Sequence, residues 1–352
     1  MNALEIIDGN LNHSLAFLTS LGTKFAIIAD DIVASLYGDN LAQLLGGEVF
    51  TFPHGEKNKS RETKQDLEDR LFKKGYGSDT CMIGLGGGVT TDLAGFLAAT
   101  YCRGVPHVLI PTSLLAMVDA CLGGKTGVNT PEGKNLVGCF YQPKKVLIDL
   151  STLRTLPKKE LQNGMVEMIK HGLIADEAFF EFLEAHAERL LNLDFTVLKS
   201  AVYQSCKIKH AIVDKNERKG KRDSLNFGHT VGHALEHLSR YTLSHGEAVA
   251  IGMLVEAKIC VQLGLLSQSV LDRIHHILTK FHLTLRLPSL FSEKSILDAM
   301  QLDKKTLNGK LHFAMISKIG TPLSFRSLFT TSVDESQIKQ ALQWMNNELH
   351  RH

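Results

Sequence analysis

Between Asn226 and Glu247 the chain carries His229, His233, His237 and His245 together with Glu236 and Glu247. Imidazole nitrogens and carboxylate oxygens are the donors that hold a borderline divalent cation, and two histidines with one carboxylate leave a coordination position open for a substrate. His229 and His233 are four apart, so on a helix they share one face, with Glu236 and His237 one turn farther along it. Spacing alone does not choose the ligands among these histidines. His245 stands in a turn-like stretch, Leu243-Ser244-His245-Gly246-Glu247, and upstream Glu167 and Lys170 share a face of a helical segment around Met165 to Ile174. H-E-x-x-H does not occur, so a zinc peptidase has no support.

Two further runs could hold phosphate. Gly84-Leu85-Gly86-Gly87-Gly88-Val89 follows an apolar strand and precedes Thr90-Thr91-Asp92, which reads as a helix start. Glycine lets backbone approach a ligand closely, and the N–H groups of a helix start attract a phosphate. The run is not G-x-G-x-x-G, because Val89 occupies the last glycine position. The second run is Pro111-Thr112-Ser113, then Gly123-Gly124-Lys125-Thr126-Gly127 and Lys134-Asn135, read as polar loops whose hydroxyls and lysines suit an anion.

The elements that must position these groups are of two kinds. Strands are expected over Lys24–Asp30, Glu48–Phe52, Cys81–Gly84, His107–Ile110 and Val146–Asp149, with helices such as Arg61–Lys74 between them. That alternation implies an α/β domain with a mainly parallel sheet, and the glycine run within it suits a dinucleotide or another phosphate-bearing ligand. Past Pro157 the pattern becomes helical, for example Leu161–Ile174 and Glu177–Leu191, with one late strand over Lys310–Ile316. The expected division is an α/β domain over 1–155 and a mostly α-helical domain over 156–352 that carries the histidine cluster and so the candidate metal site.

Composition excludes several classes. The 352 residues are 44% hydrophobic and 22% charged, those of an ordinary globular protein. A net charge of +2 without a basic run leaves no footprint for nucleic acid. The six cysteines are scattered with no C-x-x-C pair, and neither a signal-like start nor a membrane-length apolar run occurs, so a cytoplasmic protein that binds no membrane is expected.

The motifs taken together resemble the 3-dehydroquinate synthase family. The resemblance is carried by Gly86-Gly87-Gly88-Val89 to Asp92, Gly95-Phe96, Arg103-Gly104, Pro111-Thr112-Ser113-Leu114-Leu115 to Asp119, and Gly123 to Asn129. It continues through Gly133 to Gly138, Leu156-Pro157, Glu167-Met168-Ile169-Lys170, Leu225 to Thr230 and His245-Gly246-Glu247, and covers about residue 25 to Gly320. It implies a cytoplasmic homodimeric carbon-oxygen lyase of the shikimate pathway, serving chorismate and aromatic amino acid biosynthesis, with NAD and one divalent metal, zinc first and cobalt possible. Its substrate would be a phosphorylated keto-sugar acid, 3-deoxy-D-arabino-heptulosonate 7-phosphate. Transient oxidation, phosphate elimination, reduction and intramolecular aldol closure would give 3-dehydroquinate and phosphate.

By position the resemblance makes Glu167, His229 and His245 the metal ligands and leaves His233 to proton transfer or phosphate contact. NAD would meet His54, Gly55, Glu56, Lys57, Asn58 and Lys59, then Gly88, Val89, Thr90, Thr91 and Asp92. It would also meet Thr112, Ser113, Lys125 and Lys134, and finally Thr152, Leu153, Arg154 and Thr155. Substrate would meet Asp119, Lys125, Asn135, Lys170, Lys209, Arg222 and Asn226, with Arg103 reaching across a dimer. Three departures stand out: Asn216-Glu217-Arg218-Lys219-Gly220 replaces an acid-rich loop, Ser113 replaces the commoner threonine, and Ile32 stands where asparagine is frequent. Other sugar phosphate cyclases and metal- and NAD-dependent polyol dehydrogenases share parts of this apparatus. The phosphate-suited set Lys125, Asn135 and Lys170 argues against a polyol dehydrogenase, and the intact ligands and lysines against a silent NAD sensor.

Overall fold

The computed structural model describes residues 4–7, 12–214, 220–240, 242–287, 291–302, 306–307, 310–325 and 328–349, in two compact units, Met1–Glu160 and Leu161–His352. The altered loop at Asn216, Glu217, Arg218 and Lys219 lies outside the described residues.

In the first unit the strands are β1 (Leu4–Ile7), β2 (Lys24–Asp30), β3 (Glu48–Phe52), β4 (Thr80–Gly86), β5 (His107–Pro111), β6 (Lys125–Thr130), β7 (Gly133–Phe140) and β8 (Lys145–Asp149). Six of them form one sheet in the order β1-β8-β5-β4-β2-β3, parallel at every pairing. Both faces are covered, which is why these strands read as near-continuous apolar runs rather than alternating ones. Ala26 and Ile28 of β2 join Phe50, Met82 and Leu97 on one face. Phe25, Ile27 and Ala29 join Ile83, Val108 and Leu147 on the other.

Helix α1 (Arg61–Lys73) buries Leu67 and Leu71 completely, each worth roughly 2 kcal/mol of transfer free energy. Ser60 caps its start by accepting the Thr63 N–H at 3.2 Å. Helix α2 (Gly88–Thr100) follows β4 and begins already at Gly88, ahead of the Thr90 start suggested by the hydroxyl residues.

One expectation needs correction here. The glycine-rich stretch with Lys125, Lys134 and Asn135 is no pair of loops but the antiparallel hairpin β6–β7, pairing Gly127 with Gly138 and Val128 with Val137. Its glycines hid it, because they carry no β-branched signal; a Cβ on Gly138 would lie 1.9 Å from the Thr126 carbonyl oxygen. Strand β1 is a four-residue edge strand, too short to show a period in the sequence.

The second unit is built on helices α3 (Lys158–Ala175), α4 (Phe195–Asp214), α5 (His229–Leu238), α6 (His245–Gln262) and α7 (Gln268–Lys280). The expected single helix over Glu177–Leu191 is two, Glu177–Ala185 and Ala187–Leu191, because the backbone leaves the helical region at His186 (φ −115°, ψ 17°). The late strand breaks at Met315 into Lys310–Ala314 and Ile316–Lys318, which pair with short strands the sequence did not announce.

Helices α3 and α6 are buried on nearly every face, from Asn163 to Ile174 and from Gly246 to Ala257. A helix enclosed all round should be apolar throughout, so the charged residues on these two require partners. Helices α5 and α6 cross at backbone contact: a Cβ on Gly252 would lie 2.0 Å from the Gly228 carbonyl oxygen. Gly228 itself holds φ +82°, a left-handed conformation that glycine adopts without strain.

Candidate active site

Three helices of the second unit bring the cation-type donors together. Glu167, buried on α3, has Oε1 3.6 Å from His229 Nε2 and 3.6 Å from His245 Nε2. One donor atom from each of the three lies within 4.8 Å of the others. The His233 ring stands 5.2 Å from that of His229 and 6.2 Å from that of His245. His237 is exposed and belongs to none of the donor groups.

The local structure around His245 differs from the expected turn. His245 is the first residue of α6, and Ser244 caps that helix in a reciprocal box with Glu247, which accepts the Ser244 N–H at 2.9 Å. Ser-x-x-Glu ahead of an apolar run is the sequence signal of such a box, and it was available in Ser244 to Glu247. Asn163 of α3 fastens the same end, its Oδ1 accepting the Gly246 N–H at 3.0 Å.

Charge balance inside the cluster is local. Lys170, one turn after Glu167 and equally buried, forms an ion pair with it. Burial opposes a charge on His245, but the Glu167 and Glu236 carboxylates outweigh it and raise its pKa to about 10. A divalent cation would answer the same excess of negative charge, and the buried Glu-His-His donor set suits one by type and by spacing.

Two buried carboxylates without an assigned role from the sequence hold this geometry. Glu256 of α6 accepts the N–H groups of Gly228 at 2.7 Å, Thr230 at 3.0 Å and Val231 at 3.3 Å, and so caps α5 from a neighbouring helix. Glu236 lies beside His245, with Oε2 3.2 Å from Nδ1. Helical spacing had already placed Glu236 on the face of His229 and His233 without giving it a role, whereas nothing local in sequence links Glu256 to Gly228. Lys209 is buried on α4, which packs against the short helical turn Lys221–Asn226 that carries buried Arg222 and half-buried Asn226.

The first unit presents a different site. After β3 the chain crosses to the opposite side of β2, so sheet order reverses between β2 and β4, and ligands of open α/β sheets bind at the carboxyl ends of such strands. Those ends are Asp30 and Gly86, and the Thr90 hydroxyl donates to Asp30 Oδ2 at 3.2 Å across the gap. Close by, Lys59 Nζ lies 2.5 Å from Asp92 Oδ2 and 2.5 Å from Asn135 Oδ1. Burial raises the Asp92 carboxyl above its ordinary range, with Lys59 opposing.

The segment His54–Lys59 is braced on both sides. His54 Nδ1 is 2.9 Å from Asp31 Oδ1, the Asn129 amide donates to Glu56 Oε1 at 2.8 Å, and the Asn58 amide donates to the His54 carbonyl at 2.8 Å. Lys57 completes that turn, and Ile32 is half exposed beside Asp31. Thr152, Leu153 and Arg154 form a 3-10 turn closed by Thr155, whose hydroxyl lies 2.5 Å from that of Tyr37. Thr112 is buried and donates its N–H to the Gly86 carbonyl at 3.0 Å, while Ser113 Oγ accepts the Ala116 N–H at 3.3 Å. Gly87 caps α2, whose first turn holds Gly88, Val89, Thr90 and Thr91, while Lys134 is the second residue of β7 and half-buried.

Lys125 is exposed at the start of β6, and Asp119 is half-buried in the turn Ala116–Ala120. Arg103 is exposed in a left-handed backbone run, φ +49° at Cys102 and +67° at Arg103. Asn135 also holds a positive φ, +55°, with its N–H given to Asn129 Oδ1 at 3.0 Å.

Known proteins resemble the chain over most of its length. Residues 49–163 match the family model described as 3-dehydroquinate synthase N-terminal, and residues 164–306 match 3-dehydroquinate synthase C-terminal. The chain is 45% identical over 307 residues to the 3-dehydroquinate synthase of Desulforamulus reducens, covering 85% of this chain and 86% of that one. Among solved structures, 2-deoxy-scyllo-inosose synthase complexed with carbaglucose-6-phosphate, NAD+ and Co2+ superposes with a TM-score of 0.90 at 27% identity, covering 97% of this chain and 96% of that one. The 2-epi-5-epi-valiolone synthase of Streptomyces hygroscopicus, with NAD+ and Zn2+ bound, gives 0.88 at 28% identity, covering 98% and 96%.

Proposed function

Since the chain belongs to the 3-dehydroquinate synthase family, we propose that its two sites serve one reaction: 3-deoxy-D-arabino-heptulosonate 7-phosphate is converted to 3-dehydroquinate and phosphate with NAD and a divalent cation. Bound NAD would take up and return a hydride, while the bound cation would polarise the hydroxyl being oxidised.

Glu167, His229 and His245 hold the cation, with zinc the first choice for two imidazoles and one carboxylate and cobalt an accepted substitute. His233, next to the ligands but outside their set, serves proton transfer or contacts the phosphate. Lys125, Lys170, Asn135 and Arg103 offer cationic or amide donors to the phosphate, and Lys209 and Arg222 to the carboxylate, with Asn226 and Asp119 orienting the carbon chain. Holding one flexible intermediate through several steps is largely a matter of such positioning. The α2 start, from Gly88 to Asp92, would hold a phosphate of NAD, with His54 to Lys59, Thr112, Ser113 and Thr152 to Thr155 offering it further contacts. A cytoplasmic homodimer in which Arg103 serves the partner's site completes the reading.

The observation that carries this proposal is the convergence of Glu167, His229 and His245 from three helices. Its test is metal stoichiometry after dialysis: the wild type is expected to retain one cation per chain, and His245→Ala none, with an unchanged far-ultraviolet circular dichroism spectrum. Full occupancy in His245→Ala would refute the ligand assignment.

A further inference from the structure

We propose that Glu236 is the residue that positions His245 for the cation, by accepting its Nδ1–H and thereby leaving the Nε2 lone pair for coordination; this rests on the reading of Glu167, His229 and His245 as ligands. The two nitrogens of His245 face different carboxylates. Nδ1 is 3.2 Å from Glu236 Oε2, and Nε2 is 3.6 Å from Glu167 Oε1. A neutral imidazole carries a single N–H, and the nitrogen that donates it cannot also coordinate. An anionic acceptor at Nδ1 therefore fixes both the tautomer and the ring plane, as outer carboxylates do for metal-bound histidines.

Glu236 is 4% exposed, so its carboxylate must be satisfied within the protein. It reaches this place because His229, His233 and Glu236 follow helical spacing on α5, while His245 begins α6 beside it. The close α5–α6 crossing at Gly228 and Gly252 keeps the two helices in that register.

A competing role exists. His233, Glu236 and His245 also offer donor atoms within 4.8 Å of one another, so Glu236 could itself be a ligand. Geometry favours the outer role, because Glu167 Oε1 is equidistant, at 3.6 Å, from Nε2 of both His229 and His245. That leaves the Nδ1 side of His245 to Glu236.

The two roles separate on substitution. Glu236→Gln keeps a carbonyl oxygen that can accept from Nδ1–H, whereas Glu236→Ala keeps nothing. We expect Glu236→Ala to weaken Zn2+ affinity, measured by competition with a chromogenic chelator, by about 10- to 100-fold, and Glu236→Gln by no more than about fivefold. The Co2+-loaded alanine variant should also show a shifted visible absorption spectrum, while the melting temperature of both metal-free variants stays close to wild type. Wild-type affinity in Glu236→Ala would overturn the proposal. Equal, complete loss in both variants would overturn it too and make Glu236 a ligand. A wild type that retains no cation would instead overturn the ligand reading on which the proposal stands.

Discussion

Glu256 Oε2 accepts the Gly228 N–H at 2.7 Å, tying the helix that carries His229 and His233 to the middle of the helix that begins with His245. Donors needed within a few ångströms of each other are thus fixed by a contact between residues 28 apart in sequence. With Thr230 and Val231 also donating to this carboxylate, it replaces a cap that Gly228 has no side chain to supply.

Glu256→Ala leaves those N–H groups without their acceptor in a buried place and should cost about 2–4 kcal/mol. Glu256→Gln, which keeps one carbonyl acceptor, should recover part of that. Denaturant unfolding checks both; a loss below about 0.5 kcal/mol in the alanine variant would contradict the role.

Lys59 is held between Asp92 and Asn135, joining segments assigned by resemblance to cofactor and to substrate. Removing one member of a buried ion pair strands the other, so Lys59→Met should destabilise the first unit by about 3–5 kcal/mol. Adding Asp92→Asn should return a good part of the loss, because no buried charge is then left alone. A double-mutant cycle measures this, and additive losses would contradict it.

His107, at the start of β5, is 1% exposed and stacks on Tyr141 at 5.1 Å between ring centroids. Neither ring nitrogen has a hydrogen-bond partner among the described residues, and burial lowers its pKa from 6.5 to about 4. The folded state therefore resists protonation that the unfolded chain accepts. Stability should fall as pH drops below about 6.5 and stop falling near 4, a loss of up to about 3 kcal/mol from this residue. His107→Leu should flatten that part of the stability profile whatever its effect at neutral pH. An unchanged slope would contradict the assignment.

Much of this was legible in residue order, and the exceptions share causes. The parallel strands announced themselves because both sheet faces are buried, as in Phe25 to Ala29. The hairpin holding Lys125 and Asn135 did not, because glycine supplies close approach there while giving no apolar period. His229 and His233 were visibly on one helical face, yet sorting ligand from neighbour needs the distances to Glu167, more than sixty residues upstream. Glu256 stayed silent for the same reason: on a helix buried all round, a carboxylate's partner is set by packing and not by spacing. The start of α6 is the opposite case, since Ser244 and Glu247 do write a capping box into the sequence.

The most direct measurement is turnover of 3-deoxy-D-arabino-heptulosonate 7-phosphate by the purified chain with Zn2+ and NAD, following phosphate, 3-dehydroquinate and NADH together. Phosphate and 3-dehydroquinate should appear in equal amounts with no net NADH, since the hydride taken up is returned. No phosphate release, or net accumulation of NADH, would contradict the account.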